Sequence, residues 1–343
     1  MKPTIIKTGL RAALAAAVVV SVSAVAPAAV FADPVPPDVA NKLAGRTVFV
    51  DPGHQGTGHG ENLSRQVDNG RGGAKDCQTT GMTSLNGIPE HTINWNVAQL
   101  VKTALESLGA RVVLSRPDDT GWGGCVDDRA RAANASGAAV AVSIHADGAP
   151  AGARGFHLIV PQLPIPDAVA DRVQSTEGLA ATKAVRDAYV QAGFQPANYA
   201  GVQDGLQTRA DIAGPALTRV PGVFVEMGNG GDPQDAAVLE SPDGQLKHAV
   251  AITTGLVGYL LSANPAGTTG SAPDRPATAP DPAAPKSPAP STPSPEDGGD
   301  LVAMVTRLLS PLTRALGIDD TMLTTQLINM VYSLAGMLSR PTG

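Results

Sequence analysis

Aromatic side chains are scarce in this chain: five Phe, four Tyr and two Trp make up 3% of 343 residues. So few rings argue against a surface that stacks nucleic-acid bases. Positive charge is also in deficit, with 25 Lys and Arg against 31 Asp and Glu. The first 32 residues hold Lys2, Lys7 and Arg11 and no acidic residue, so the remainder carries 22 basic and 31 acidic groups, a formal charge of −9. A chain of that sign repels phosphates, and a nucleic-acid partner is excluded. There are only two cysteines, Cys77 and Cys125, and no CxxC, which argues against thiolate metal ligation. The glycine-rich stretch GHQGTGHG lacks GK[ST], and no GxGxxG opens a helix there, so it is not a phosphate loop. Beyond residue 32 no stretch is long and apolar enough to span a bilayer.

What is present begins with a basic head, an apolar run from Ala12 to Ala32, and small residues at Val30 and Ala32 ahead of Asp33. This reads as a secretory signal peptide over residues 1–32, cleaved after Ala32, with 33–45 as a short lead. A secreted chain, placed in the periplasm or cell wall, meets an oxidising environment, where Cys77 and Cys125 are expected to form one disulfide. Closing a loop of roughly fifty residues contributes about 4 kcal/mol in the chain-entropy view. Residues 263–299 are rich in Pro, Ala, Ser and Thr and read as an extended linker. Residues 300–343 turn apolar and periodic again. Leu301, Val305, Leu308, Leu312 and Leu316 make one helical stripe, interrupted at Pro311, and TTQLINMVYSLAGML makes a second. The expectation is an amphipathic helical segment, a hairpin or tail that could dock a regulatory partner or surface.

Residues 46–262 are long enough for one sizeable domain. Strands are expected at Thr47–Val50, Arg111–Leu114, Ala138–Ile144, Phe156–Val160 and Val223–Val225. Helices are expected at Pro89–Leu108, Asp127–Ser136 and Thr176–Ala192, and Gln234–Leu261 is expected to be largely helical. This alternation predicts an α/β fold: a mostly parallel, twisted central sheet with helices on both faces. Such sheets place their ligands at the carboxyl ends of the strands.

At those ends stand residues with chemistry. His54 follows the first strand, in VFVDPGHQGTGHG. His145 ends AVAVSIH, Glu226 ends GVFVE, and Glu90 opens the first helix. A single histidine at a strand end is more often a hydrogen-bonded structural residue than a ligand. It is the convergence on one sheet edge that points to a site. His91 beside Glu90 is a rival ligand. Neighbouring helical residues point about 100° apart, so only one of the two can face a given metal, and Glu90 is preferred. His59, His157 and His248 read as non-ligands. Asp51 either forms the turn or steadies a histidine.

The blocks VDPGHQG, PEHTINWNVAQLVKTALESLGARVVLSR, DRARAANASGAAVAVSIHADG and RVPGVFVEMGN, in this order between Arg46 and Leu261, resemble the zinc-dependent N-acetylmuramoyl-L-alanine amidases of the amidase_3 type. The resemblance implies one Zn2+ held by His54, Glu90 and His145, with Glu226 as the catalytic carboxylate. It also implies hydrolysis of the amide between N-acetylmuramic acid and L-alanine in peptidoglycan, in wall remodelling, septum cleavage or recycling. Arg129 and Asn134 fit the family's R…AN helix and are taken as structural. A monomer acting on peptidoglycan or muropeptides is expected. The loop from Gln55 to Ile88 is longer than in the simplest members; pinned by Cys77, it would shape or partly cover the substrate groove. A wall-binding module that kept the fold without activity, and a zinc peptidase or deacetylase of the wall, are the rival readings.

Overall fold

The computed structural model describes residues 40–262 and Arg314. The signal peptide, most of the 33–45 lead, the 263–299 linker and, apart from Arg314, the 300–343 segment lie outside the described residues.

The chain forms β1 (Thr47–Pro52), a hairpin of β2 (Gln66–Asp68) and β3 (Ala74–Asp76), then α1 (Glu90–Ser107), β4 (Arg111–Leu114), α2 (Val126–Ala135) and β5 (Val140–Asp147). There follow β6 (His157–Pro161), α3 (Ala168–Val173), a five-residue π-helical segment, α4 (Leu179–Gln191), β7 (Leu206–Arg209), α5 (Ala213–Leu217), β8 (Gly222–Asn229), α6 (Pro233–Glu240) and α7 (Pro242–Ser262). Six strands make one sheet in the order β4-β1-β5-β8-β6-β7. Neighbours are parallel except β6 and β8, which run antiparallel. The sheet is thus mostly parallel with helices on both faces, as the α/β alternation predicts.

Side chains alternate across a strand, and this decides where chemistry can collect. Val48 and Val50 of β1, Val140, Val142 and Ile144 of β5, and Val223 and Val225 of β8 point to one face. There they build the main core with Ile93, Val97 and Val101 of α1 and Ile252 and Leu256 of α7. The opposite face is packed more thinly, by Phe49 and Ala141 against Ala133 of α2. Asp51, Ser143, His145, Phe224 and Glu226 share the parity of this second face.

Two strand expectations are corrected. The strand carrying Glu226 does not end there but runs to Asn229, and the one carrying His145 runs to Asp147. Gln234–Leu261 is largely helical, as expected, with one interruption at Ser241, which takes extended angles (φ −85°, ψ 143°) because the ring of Pro242 disfavours a helical residue before it. Edge strand β7 and the β2–β3 hairpin were not expected. They are three or four residues long, largely polar and lack an apolar alternation.

Candidate active site

β1 hands over to Asp51-Pro52-Gly53-His54, and this turn is held by two buried arginines. Arg129 of α2 pairs with Asp51 at 2.7 Å, donates to the Pro52 carbonyl at 2.9 Å, and also donates to the His54 carbonyl. Arg116 donates to the same Pro52 carbonyl at 3.1 Å. The clamp has a purpose, since His54 adopts φ 61°, the left-handed region that a side chain rarely occupies. Asp51 also accepts from Ser115 (2.6 Å) and Ser143 (2.8 Å). Burial works to raise its pKa, but Arg129 and the two hydroxyls outweigh this and hold it at about 2. Asp51 therefore anchors Arg129 rather than hydrogen-bonding a histidine.

The His54 ring donates from Nδ1 to the Thr79 carbonyl at 3.0 Å, which turns Nε2 toward Glu90 Oε1, 3.0 Å away. His145 Nδ1 lies 3.1 Å from the same Glu90 oxygen, and its ring stacks on Phe224 with centroids 4.4 Å apart. Glu90 is the first residue of α1, where the helix dipole favours a carboxylate. Its Oε2 accepts from the Met82 amide at 2.9 Å. Its Oε1 accepts from the Ala146 amide and the Asn94 side chain, each at 3.1 Å. Ligand-capable atoms of His54, Glu90 and His145 all lie within 4.8 Å of one another. Two imidazole nitrogens and one carboxylate oxygen, converging in this way, can hold a transition-metal cation. Glu90 dominates the electrostatics. Burial lowers the pKa of His54, yet the Glu90 charge overrides it and the net shift is upward. For His145 burial prevails and the shift is downward.

Two glycines make room for this cluster. A Cβ on Gly53 would sit 2.2 Å from the His145 ring, and one on Gly81 would sit 2.7 Å from Glu90 Oε2.

Glu226 lies on β8 opposite His145 on one side and His157 on the other. Its Oε2 is sealed from solvent and has no hydrogen-bond partner. Burial first, then the charges of Glu90 and Asp147, push its pKa well above the usual carboxylate range, against a smaller opposing effect of Arg209. The site opens into a cavity of about 590 Å³ on the thin face of the sheet, walled by Phe224, Ile159, Ala130, the hairpin residue Lys75, and Gln78 and Thr79 of the segment that follows the hairpin. The hairpin reaches the far wall through Lys75, which donates to the Asp211 carbonyl at 3.0 Å, and Arg71, which donates to the Pro164 carbonyl at 3.2 Å.

The chain matches the N-acetylmuramoyl-L-alanine amidase family, Amidase_3, over residues 48–257. It belongs to that family. The N-acetylmuramoyl-L-alanine amidase Rv3717 of Mycobacterium tuberculosis is 41% identical over 220 residues, covering 64% of this chain and 88% of that protein. The crystal structure of the N-acetylmuramyl-L-alanine amidase Ami1 from Mycobacterium smegmatis superposes with a TM-score of 0.60 at 43% identity, over 64% of this chain and 99% of the other. The apo form of Ami1 from Mycobacterium abscessus gives 0.59 at 42%, over 64% and 100%.

The remaining histidines of this amidase-family chain are outside the His54, Glu90 and His145 cluster. His91 turns to Asp119, with Nδ1 2.9 Å from its Oδ1. His59 stands beside Trp122, its ring centroid 5.0 Å away. His157 is buried near Tyr199, and His248 stacks on Phe194 with centroids 4.3 Å apart. Cys77 and Cys125 form a disulfide, packed with Val67 and flanked by Trp122. Sequence reasoning passed over Asn94, Arg116, Thr79 and Gly81. Of these, Asn94 carried a signal: it is the buried polar residue one turn beyond Glu90 on an otherwise apolar helix face.

Proposed function

We propose that this chain is a zinc-dependent amidase, secreted to the periplasm or cell wall, that hydrolyses the bond between the lactoyl carbonyl of N-acetylmuramic acid and the nitrogen of L-alanine in peptidoglycan. Residues 46–262 are the catalytic domain. The observation that carries this reading is the convergence of His54, Glu90 and His145 beside Glu226, whose Oε2 is buried and unpartnered at the head of a cavity. Neutral imidazoles with one carboxylate suit zinc and leave its fourth position open. When bound there, zinc would polarise the scissile carbonyl and bring the pKa of its water down to about 7.

The protein's own groups do the rest. The Thr79 carbonyl and the Met82 amide aim His54 and Glu90, so the donor atoms need little rearrangement on binding. Glu226 takes the proton of the attacking water and passes it to the departing alanine nitrogen as the C–N bond breaks. The cavity holds the glycan and stem on the open side of the sheet.

Incubating the zinc-loaded protein with muramyl dipeptide or purified wall, followed by mass spectrometry, tests the bond. Intact peptides beginning with L-alanine are the expected products. Free acetate would instead make the chain a deacetylase, cuts within the stem a peptidase, and binding without products a wall-binding module.

A further inference from the structure

We infer that Asn94 is a positioning residue of the metal centre, fixing the orientation of the Glu90 carboxylate and tying together the two segments that deliver Glu90 and His54. Asn94 is fully buried on the core side of α1, where its companions are Ile93, Val97, Ala98 and Val101. It sits four residues after Glu90, one turn along the same helix face. Its amide nitrogen donates to Glu90 Oε1 at 3.1 Å and also lies 3.4 Å from the carbonyl of Gly53, the residue before His54. Both N–H groups of one amide are thus used to join the start of α1 to the exit of β1. Packing does not account for the residue. Its own oxygen, Oδ1, is buried with no partner, and a buried unpaired carbonyl destabilises a fold where an apolar side chain of similar size would not. A polar group kept at such a cost points to a task at the centre it touches.

The task follows from the geometry. Oε1 is the Glu90 atom that faces both histidines, and Oε2 is taken by the Met82 amide. With Oε2 held from one side and Oε1 from the other, the carboxylate cannot rotate about its last bond, and a single oxygen is presented between the imidazoles. Loss of the Asn94 donor leaves Oε1 with the Ala146 amide as its one remaining N–H donor besides the histidines, loosens the carboxylate and removes the tie between α1 and the Gly53 turn.

This inference rests on the reading of His54, Glu90 and His145 as metal ligands. The test compares wild type with Asn94→Leu and Asn94→Ser in three measurements: thermal stability of the metal-free protein, zinc affinity by competition with a chromophoric chelator, and the visible spectrum of the cobalt(II) form. Asn94→Leu is expected to melt at or above the wild-type temperature without metal, to bind zinc at least about tenfold more weakly, and to show a changed cobalt spectrum. Wild-type zinc affinity and an unchanged spectrum in either folded variant would overturn the assignment. Should the leucine variant fail to fold, the smaller serine variant decides by the same two metal readouts. If the wild type itself held neither metal, the ligand reading would fail, and the role of Asn94 with it. Zinc bound equally by wild type and variant would defeat the Asn94 assignment alone.

Discussion

His54 and Glu226 illustrate how much a single residue's surroundings decide. His54 could be named from DPGH, yet its ring is useful only because a left-handed backbone and the Thr79 carbonyl turn Nε2 inward, and Thr79 lies 25 residues away in the chain. Glu226 is legible as a carboxylate near a strand end. That one of its oxygens is buried with no hydrogen-bond partner is a property of the folded sheet. Replacing Glu226 with Gln should leave zinc binding at the wild-type level and lower kcat by about 10²- to 10⁴-fold; near-normal turnover would refute the proposed proton transfer. Gly53 makes the opposite point, since its value is an absence. Gly53→Ala would drive a methyl into the His145 ring, at 2.2 Å, and should weaken zinc binding and cut kcat/KM by about 10²-fold. An unaltered zinc titration would show that the ring can move aside at no cost.

Elements explain why residues so far apart in sequence meet. Strands β1, β5 and β8 are adjacent and parallel, so residues of matching parity near their carboxyl ends share one face. The strands were readable because apolar residues dominate a sheet covered on both sides. The β2–β3 hairpin was not, because it is polar and is held by cross-linking and distant carbonyls. The disulfide fastens Cys77, next to the Thr79 loop, to the residue before α2, which carries Arg129. Changing Cys77 and Cys125 together to Ser should lower unfolding stability by about 2–5 kcal/mol, read by denaturant titration; an unchanged midpoint would mean that hydrogen bonds alone hold the loop. Shortening the hairpin to join Gln66 and Asp76 directly, which keeps Cys77 and its disulfide, should change the rate or range of wall fragments cleaved, because Lys75 of the hairpin walls the cavity. Identical product profiles would remove it from substrate handling.

At the scale of the whole domain, burial of titratable groups sets the response to acid. Burial, reinforced by Lys247, lowers His248 from 6.5 to about 3, and burial lowers His157 to about 4. In each case the unfolded chain binds a proton below pH 6.5 that the folded chain refuses until its own lowered pKa is reached. Stability therefore falls as pH drops through that window, by about 2 kcal/mol for each histidine near pH 5. Asp51 adds a later loss as pH falls from 3.8 toward about 2, where its link to Arg129 is protonated away. Between pH 7 and pH 5 the melting temperature of His248→Gln should fall less, or rise more, than that of the wild type; an equal slope in that variant would exclude His248 as a cause.

The sequence by itself determined the α/β class, the one pair of cysteines and the family, and it named His54, Glu90, His145 and Glu226 as candidates. These rest on local patterns of period, spacing and residue type. Only the tertiary structure decided that His54, Glu90 and His145 share one oxygen-centred cluster, that Arg116 and Arg129 clamp the first turn, and that Asn94 spans two segments. Those facts depend on which strands are neighbours and on where side chains of distant segments come to lie, and no local pattern encodes either.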